Sequence, residues 1–133
     1  MSHRNVAVVR AFLEAYNRED FEAALEHVTP GFVLDFSRAL GPYRGVYQRD
    51  QVQGFLEELN ATVESVRFEP GDFTEVGEHV VTPLRIHFEG RDGITATADT
   101  TNLWLFRGGA IERIVLYQEL REALEAVGLS ESP

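Results

Sequence analysis

The chain has 133 residues, of which 44% are apolar, and carries a formal net charge of −10 with no cysteine. We expect one domain spanning residues 1–133, large enough to bury a core without disulfides. The acidic charge argues against a nucleic-acid partner. No apolar run approaches the roughly 20 residues of a membrane helix, and no signal-peptide pattern follows Met1, so we expect a cytoplasmic protein with no membrane partner.

The first part of the chain predicts two amphipathic helices and a strand. Apolar residues at helical spacing predict the first helix over residues 5–17. Asp20 is a good cap for a second helix, and Thr29 begins the Thr-Pro-Gly stretch that ends it. A short strand is predicted over residues 32–37.

The middle of the chain predicts a loop and a third helix before the pattern changes to strands. Glycine and proline punctuate residues 38–48, which we interpret as a loop, and residues 52–59 show one apolar helical face. From residue 62 onward the apolar period is two. The predicted strands are 64–69, 73–76, 79–89, 94–106 and 111–118.

A last helix is predicted from Leu120 to Val127, with Gly128 as its left-handed C-terminal cap. Helices that come first, followed by strands joined through short turns, favour an α+β fold over a parallel doubly wound sheet.

Four segments, taken in this order, resemble the SnoaL-like branch of the nuclear transport factor 2-like superfamily. They are residues 12–21, 32–37 with 45–47, 101–111 and 116–129. The resemblance implies a cone-shaped, curved antiparallel or mixed sheet, with three N-terminal helices closing a pocket and a short C-terminal helix. It also implies a hydrophobic small-molecule partner and no cofactor, but the family includes both enzymes and non-catalytic modules.

The resemblance further implies a homodimer formed through the outer face of the sheet. An apolar patch suited to this is expected from Val81, Pro83, Val115 and Tyr117.

Asp35 is the first candidate for catalysis, because it interrupts an apolar strand. An inward carboxylate there is costly unless it is hydrogen-bonded or shares its proton. Both faces of this strand contain apolar residues, so the side that faces a pocket stays open. Ketosteroid isomerases, which this chain resembles in layout, carry an aspartate at the matching place. In those enzymes this aspartate is the general base that moves a proton next to a carbonyl group. The alternative is a structural carboxylate bonded to loop amides or to Arg38.

Asn102 matches, within one residue, the place of a second acid in those isomerases. An amide there can donate a hydrogen bond to a developing oxyanion. Thr100 and Trp104 alternate onto the same face and are expected to form a pocket wall. Phe12 stands where the isomerases carry a tyrosine, and Tyr16 lies one turn further along the same helix.

The end of the last strand supplies a third candidate. SnoaL-like cyclases use an acid near this place, where the chain has Gln118 and Glu119. One register step decides which of them faces inward. An inward Glu119 is a candidate acid or base, whereas an outward one is an N-terminal helix cap.

Further substrate-binding residues come from the strands and from the long loop. Leu84, Ile86 and Leu116 occupy the positions where the related epoxide hydrolases carry an Asp-Arg-Asp set, so that activity is not expected. Tyr43 and Tyr47 lie in or beside a loop that can cover a pocket mouth.

The four histidines lack the spacing of metal ligands, so no metal site is predicted. Two functions remain: cofactor-independent acid–base catalysis on a hydrophobic carbonyl compound, of isomerase or cyclase type, and non-catalytic ligand binding or dimerisation.

Overall fold

The computed structural model describes residues 4–39, 44–61 and 63–128. Within them, four helices pack against a curved, seven-stranded sheet. The helices are α1 (Arg4–Asn17), α2 (Phe21–Leu25), α3 (Arg49–Ala61) and α4 (Leu120–Ala126). The strands are β1 (Val28–Phe36), β2 (Gly45–Gln48), β3 (Ser65–Pro70), β4 (Thr74–Val76), β5 (His79–Glu89), β6 (Thr95–Arg107) and β7 (Ala110–Tyr117). None of the described helices is long and apolar enough to cross a membrane.

The sheet is mixed. Its strand order is β2-β1-β7-β6-β5-β3, and β4 pairs separately with β5. β1 runs parallel to β7, whereas the remaining pairs are antiparallel. The predicted α+β fold, with three helices before the meander and one after it, is therefore confirmed. Gly128 has φ of 88°, so the left-handed cap after α4 is also present.

The two faces of the sheet carry separate apolar cores. The inner face packs against α1 and α3, and its central side chains come from alternate positions such as Leu84, Trp104 and Ile114. The outer face packs against α4, where Val81, Leu103 and Val115 bury Ala123. This division follows from strand geometry, because successive side chains point to opposite faces.

The predicted open patch on the outer face is wrong in part. Val81 and Val115 are 0% and 5% exposed, because α4 of the same chain covers them. Pro83 and Tyr117 are only partly buried.

Two boundaries in the first half differ from the predictions. α2 ends at Leu25 and β1 already begins at Val28, and β2 forms inside the segment predicted as a loop. Both strands gain hydrogen bonds that no local pattern reveals: Val28 pairs with Ile111, and β2 pairs with the second half of β1. Tertiary pairing here overrides the local turn residues.

Asn17, the last residue of α1, protects the free edge of β3. Its amide Nδ2 donates to the Phe68 carbonyl at 2.9 Å, and its Oδ1 accepts from the Phe68 N–H at 2.9 Å. The side chain thus occupies edge groups that would otherwise be open to another strand. It also holds Phe68 in place beneath the helices.

Candidate functional site

A cavity of about 180 Å³ lies between the inner face of the sheet and α3. For comparison, an engineered apolar cavity of about 150 Å³ binds benzene. The wall of the cavity in this protein is mostly aromatic and aliphatic. One side is the apolar face of α3, and the other side consists of alternate residues of β3, β5 and β6. The main apolar groups are Phe36, Phe55, Leu59, Phe68, Ile86 and Phe88.

A smaller chamber of about 30 Å³ lies beside this cavity on the side of α1. Asn102 and Phe68 line both spaces, and Phe12, Tyr16 and Trp104 close the inner end. The rings of Phe12 and Trp104 meet edge to face at 5.5 Å. The wall at this end is therefore aromatic and tightly packed.

Tyr16 is a fixed wall of the chamber. Its hydroxyl donates to Asn60 Oδ1 at 2.8 Å, and its ring stacks on Phe68 at 4.4 Å. Burial, with a smaller effect of Glu19, raises the pKa of Tyr16 well above its ordinary value. The phenol therefore stays neutral and ties α1 to α3.

Polar groups reach the main cavity from β6 and from the end of β7. Thr100, Asn102 and Gln118 line it, and Gln118 Nε2 donates to the Arg38 carbonyl at 2.8 Å. Asp99 stands at the mouth, but Arg85 holds its carboxylate on the outer side at 2.9 Å. Among the described lining residues Asp99 is the one with an ionisable side chain.

Several buried polar atoms on the inner face have no hydrogen-bond partner within the described part of the chain. Unpaired buried polar atoms are uncommon, because each costs the fold its lost hydration. They come from neighbouring positions on β5 and β6. The atoms are Thr82 Oγ1, Thr100 Oγ1, Asn102 Oδ1 and Trp104 Nε1.

The prediction that Asp35 faces the pocket is wrong. Leu34 and Phe36 take the inner face, so Asp35 lies on the outer face, 7% exposed. Its Oδ2 accepts from Arg113 at 2.9 Å and its Oδ1 accepts from the Ser37 hydroxyl at 2.6 Å. Burial alone would raise the pKa of Asp35, but the bonds from Ser37 and Arg113 together lower it. Asp35 is an ionised structural carboxylate; its partner is Arg113 rather than Arg38.

The prediction of Glu119 as an acid in the pocket is also wrong. Of the two residues between which the sequence left the choice open, Gln118 is the one that faces the cavity. Glu119 is exposed, its side chain pairs with Arg121 at 3.2 Å, and its N–H donates to Glu122 at 3.1 Å in a capping box at the start of α4. Glu119, which the resemblance to cyclases suggested as a catalytic acid, is therefore the N-terminal cap of α4.

The other predicted site residues are divided between the two spaces and positions outside them. The main cavity is lined by Leu84, Ile86, Thr100, Leu116 and Gln118. The inner chamber is lined by Phe12, Tyr16 and Trp104, and Asn102 lines both spaces. Tyr47 lies one layer behind, stacked on Phe55 at 4.1 Å. Tyr43 falls outside the described residues.

Sequence reasoning missed the α3 wall and Thr82. The i, i+4 pair Phe55 and Leu59 marks the apolar face of α3 and could have been assigned to the cavity. Thr82 has no such signal, since only its pairing opposite Asn102 places it beside the site. No group of three or more His, Asp or Glu that could hold a metal occurs within residues 4–39, 44–61 and 63–128.

Comparisons with known proteins agree on family and fold. A family profile described as a SnoaL-like domain matches residues 9–114. No curated protein matches the chain significantly. Among solved structures, TerC co-crystallised with polyporic acid superposes with a TM-score of 0.76 at 20% identity, covering 93% of this chain and 98% of TerC.

Two further structures support the same fold. An NTF2-like protein of unknown function from Burkholderia pseudomallei has a TM-score of 0.76 at 23% identity, covering 96% of this chain and 99% of that one. A protein with a ketosteroid isomerase-like fold from Catenulispora acidiphila, in complex with trimethylamine, has a TM-score of 0.73 at 19% identity, with 92% of each chain covered. At these identities the structures establish the fold and not the ligand.

Proposed function

Since this chain belongs to the SnoaL-like domain family, we propose that it binds a compact, uncharged, mainly apolar molecule that carries one or more oxygen groups. The observation that carries this proposal is the cavity between the sheet and α3, with its apolar wall and a short row of neutral polar groups. Pockets of this kind combine burial for affinity with a few polar contacts for orientation.

Binding without acid–base catalysis fits the described lining better than an isomerase or cyclase does. General acid–base chemistry needs a titratable group within hydrogen-bond reach of the reacting proton. Asp35 and Glu119 lie away from the cavity, and the carboxylate of Asp99 is held by Arg85 at the mouth. The neutral groups Thr100, Asn102 and Gln118 are suited to orient a ligand.

A cavity-filling variant tests the proposal. Ala98 lines the cavity, so Ala98→Phe places a ring inside it. The matched control is Thr97→Phe, because Thr97 is the exposed neighbour on the opposite face. We expect acetophenone to raise the melting temperature of the wild type and of Thr97→Phe, because ligands stabilise the state they bind. Ala98→Phe should show no rise, and an unchanged rise in that variant would refute the assignment of the site.

A second candidate function, proton transfer next to a carbonyl with a hydroxide ion from solvent taking the proton, is favoured by one observation. Asn102 lies on the wall shared by both spaces, where its amide can stabilise an oxyanion. The test is deuterium incorporation into the methyl group of acetophenone in D2O, followed by NMR. Exchange no faster than in buffer supports binding alone. Acceleration that is lost in Asn102→Leu would replace our first proposal with the catalytic one.

A homodimer stays a prediction. α4 covers part of the expected patch, but Pro83 and Tyr117 stay partly exposed beside it, and Leu120 at the start of α4 is 36% exposed. We propose that these residues contribute to a contact between two copies. Light scattering at micromolar concentration should give twice the 15.0 kDa chain mass, and a monomer would refute the contact.

A further inference from the structure

Three of the four unpaired polar atoms of the inner face, those of Thr82, Asn102 and Trp104, come from the end of the cavity nearest α1, whereas Thr100 lines the main cavity. In the register of β5 and β6, Thr82 lies directly opposite Asn102, and Val80 lies opposite Trp104. Asn102 and Trp104 both line the inner chamber. Thr82 and Trp104 are 0% exposed and Asn102 is 6% exposed. We call Thr82, Asn102 and Trp104 the inner recess: Asn102 lines both spaces, Trp104 lines the chamber, and Thr82 lies opposite Asn102 on the neighbouring strand.

We infer that the inner recess is a binding subsite for a hydroxyl group on the ligand, and this rests on the proposed ligand-binding function. The indole N–H of Trp104 can only donate, whereas Asn102 Oδ1 can only accept. A hydroxyl satisfies both, since its oxygen accepts while its hydrogen is donated. A carbonyl oxygen can accept from Trp104 but has no hydrogen for Asn102. The subsite therefore selects an alcohol or phenol over a ketone of the same skeleton.

Thr82 supplies the third contact. It does not line the cavity itself, but directly opposed residues in an antiparallel pair have Cβ atoms about 5 Å apart. An oxygen placed against the Asn102 amide is thus within reach of the Thr82 hydroxyl, which can donate or accept. The Thr82 hydroxyl has no partner in the described part of the chain. The polar side chains at the mouth differ in this respect, because Asp99 and Gln118 already have partners.

The arrangement orients the ligand. The inner recess is at the end nearest α1, whereas Ile86, Phe88 and Ala98 form an apolar part of the main cavity. A ligand therefore enters with its hydroxyl first and leaves its hydrocarbon part beneath α3.

The inner recess lowers the stability of the ligand-free protein, and this gives a test that does not depend on binding. Thr82→Val replaces an unpaired buried hydroxyl with a methyl group of nearly the same shape, which removes the loss of hydration. We expect the melting temperature of the free protein to rise by about 3 °C in a domain of this size. Thr29→Val is the matched control for stability, because Thr29 Oγ1 in β1 is also buried without a partner but lies outside both cavities.

The binding test uses 1-phenylethanol, acetophenone and ethylbenzene, which share a carbon skeleton and differ at one carbon, with titration calorimetry or NMR as the readout. We expect the wild type and Thr29→Val to bind the alcohol about three- to tenfold more tightly than ethylbenzene, with the ketone between them. Thr82→Val should reduce the preference for the alcohol about threefold or more while the affinity for ethylbenzene stays within about twofold. Trp104→Phe also reshapes the chamber wall, so its effect is judged by the ratio of the alcohol affinity to the ethylbenzene affinity, which should fall about threefold or more.

The outcomes separate the two proposals. If none of the three compounds binds, the proposed function fails and the subsite fails with it. If all three bind equally to the wild type, or if the ketone binds most tightly, the cavity stands and the hydroxyl subsite is refuted. A fall in the melting temperature of Thr82→Val, with the preference for the alcohol unchanged, also refutes it, because that hydroxyl would then serve the fold alone.

Discussion

The two faces of the sheet treat their polar residues in opposite ways. On the outer face, Asp35 is paired with Arg113 and Asp99 with Arg85, each at 2.9 Å. On the inner face, polar atoms are buried without a partner in the described part of the chain, although none of these side chains is charged.

This difference indicates where function lies. A charged residue that already has a close, well-oriented partner is satisfied by the fold, whereas a neutral polar group that lacks one costs stability unless a ligand completes it. In this protein the carboxylates that attract attention in the sequence are structural. The threonine and asparagine side chains that look ordinary in a strand are the ones that we propose for the binding site.

Trp104→Ala should be the most damaging single change on the inner face. It removes a side chain that is 0% exposed and packed against Phe12, and such truncations lower the free energy of unfolding by about 3–5 kcal/mol. Leu105→Ala, at the partly exposed neighbouring position on the outer face, should cost less. Urea denaturation measures both. A loss below about 1 kcal/mol for Trp104→Ala would contradict the packing described for the inner chamber.

Asp35→Asn should destabilise the protein without affecting the ligand. The charged partner Arg113 is partly exposed, so we expect a loss of about 1–2 kcal/mol at pH 7, less than for a fully buried pair. The pKa of Asp35 is lowered in the folded state, so the stabilisation is fully present above its ordinary value of 3.8. It is lost as the pH falls through the lower folded value.

The difference in unfolding free energy between wild type and Asp35→Asn should therefore shrink below about pH 3.8. Arg113→Met provides the second arm of a double-mutant cycle, and the coupling should vanish over the same pH range. If Asp35→Asn stays folded but binds the ligand more weakly than the wild type, Asp35 belongs to the binding site after all.

Asn17→Ala should have a moderate effect on both stability and binding. It deletes two hydrogen bonds to the backbone of Phe68 at the exposed edge of β3, worth about 1 kcal/mol together at such a site. Because Phe68 lines the main cavity and the chamber, the part of the wall formed by Phe68 should become less ordered, and the ligand affinity should fall. Asn5→Ala is the control, since it loses one exposed bond to the Glu78 carbonyl, far from the cavity. Equal binding by both variants would show that the edge contact does not support the wall.

Arg85→Gln should have the smallest effect. Both partners of the Arg85–Asp99 pair are more than half exposed, and exposed ion pairs contribute little. We expect no measurable change in the urea midpoint at pH 7 and 0.15 M salt. A clear loss of stability would mean that the outer charges support the sheet more than their exposure indicates.

Much of the fold could be predicted because its signals are local. The helical spacing before residue 60, the period of two after residue 62 and Gly128 as a cap are each visible in a short window. The residues in and around β2 carried a misleading local signal, since that strand exists only through its pairing with β1. The aromatic wall around Trp104 and the alternation of Thr100 with Asn102 were also visible, so part of the site could be predicted.

Local sequence patterns are therefore sufficient for the α+β class and for the order of the helices and strands other than β2. Strand pairing over long sequence distances sets the outward position of Asp35, the inward position of Gln118 rather than Glu119, and the place of Thr82 opposite Asn102. The physical reason is the two-residue repeat of a strand: a shift of one position exchanges its faces. The pairing partners that set this position lie far away along the chain.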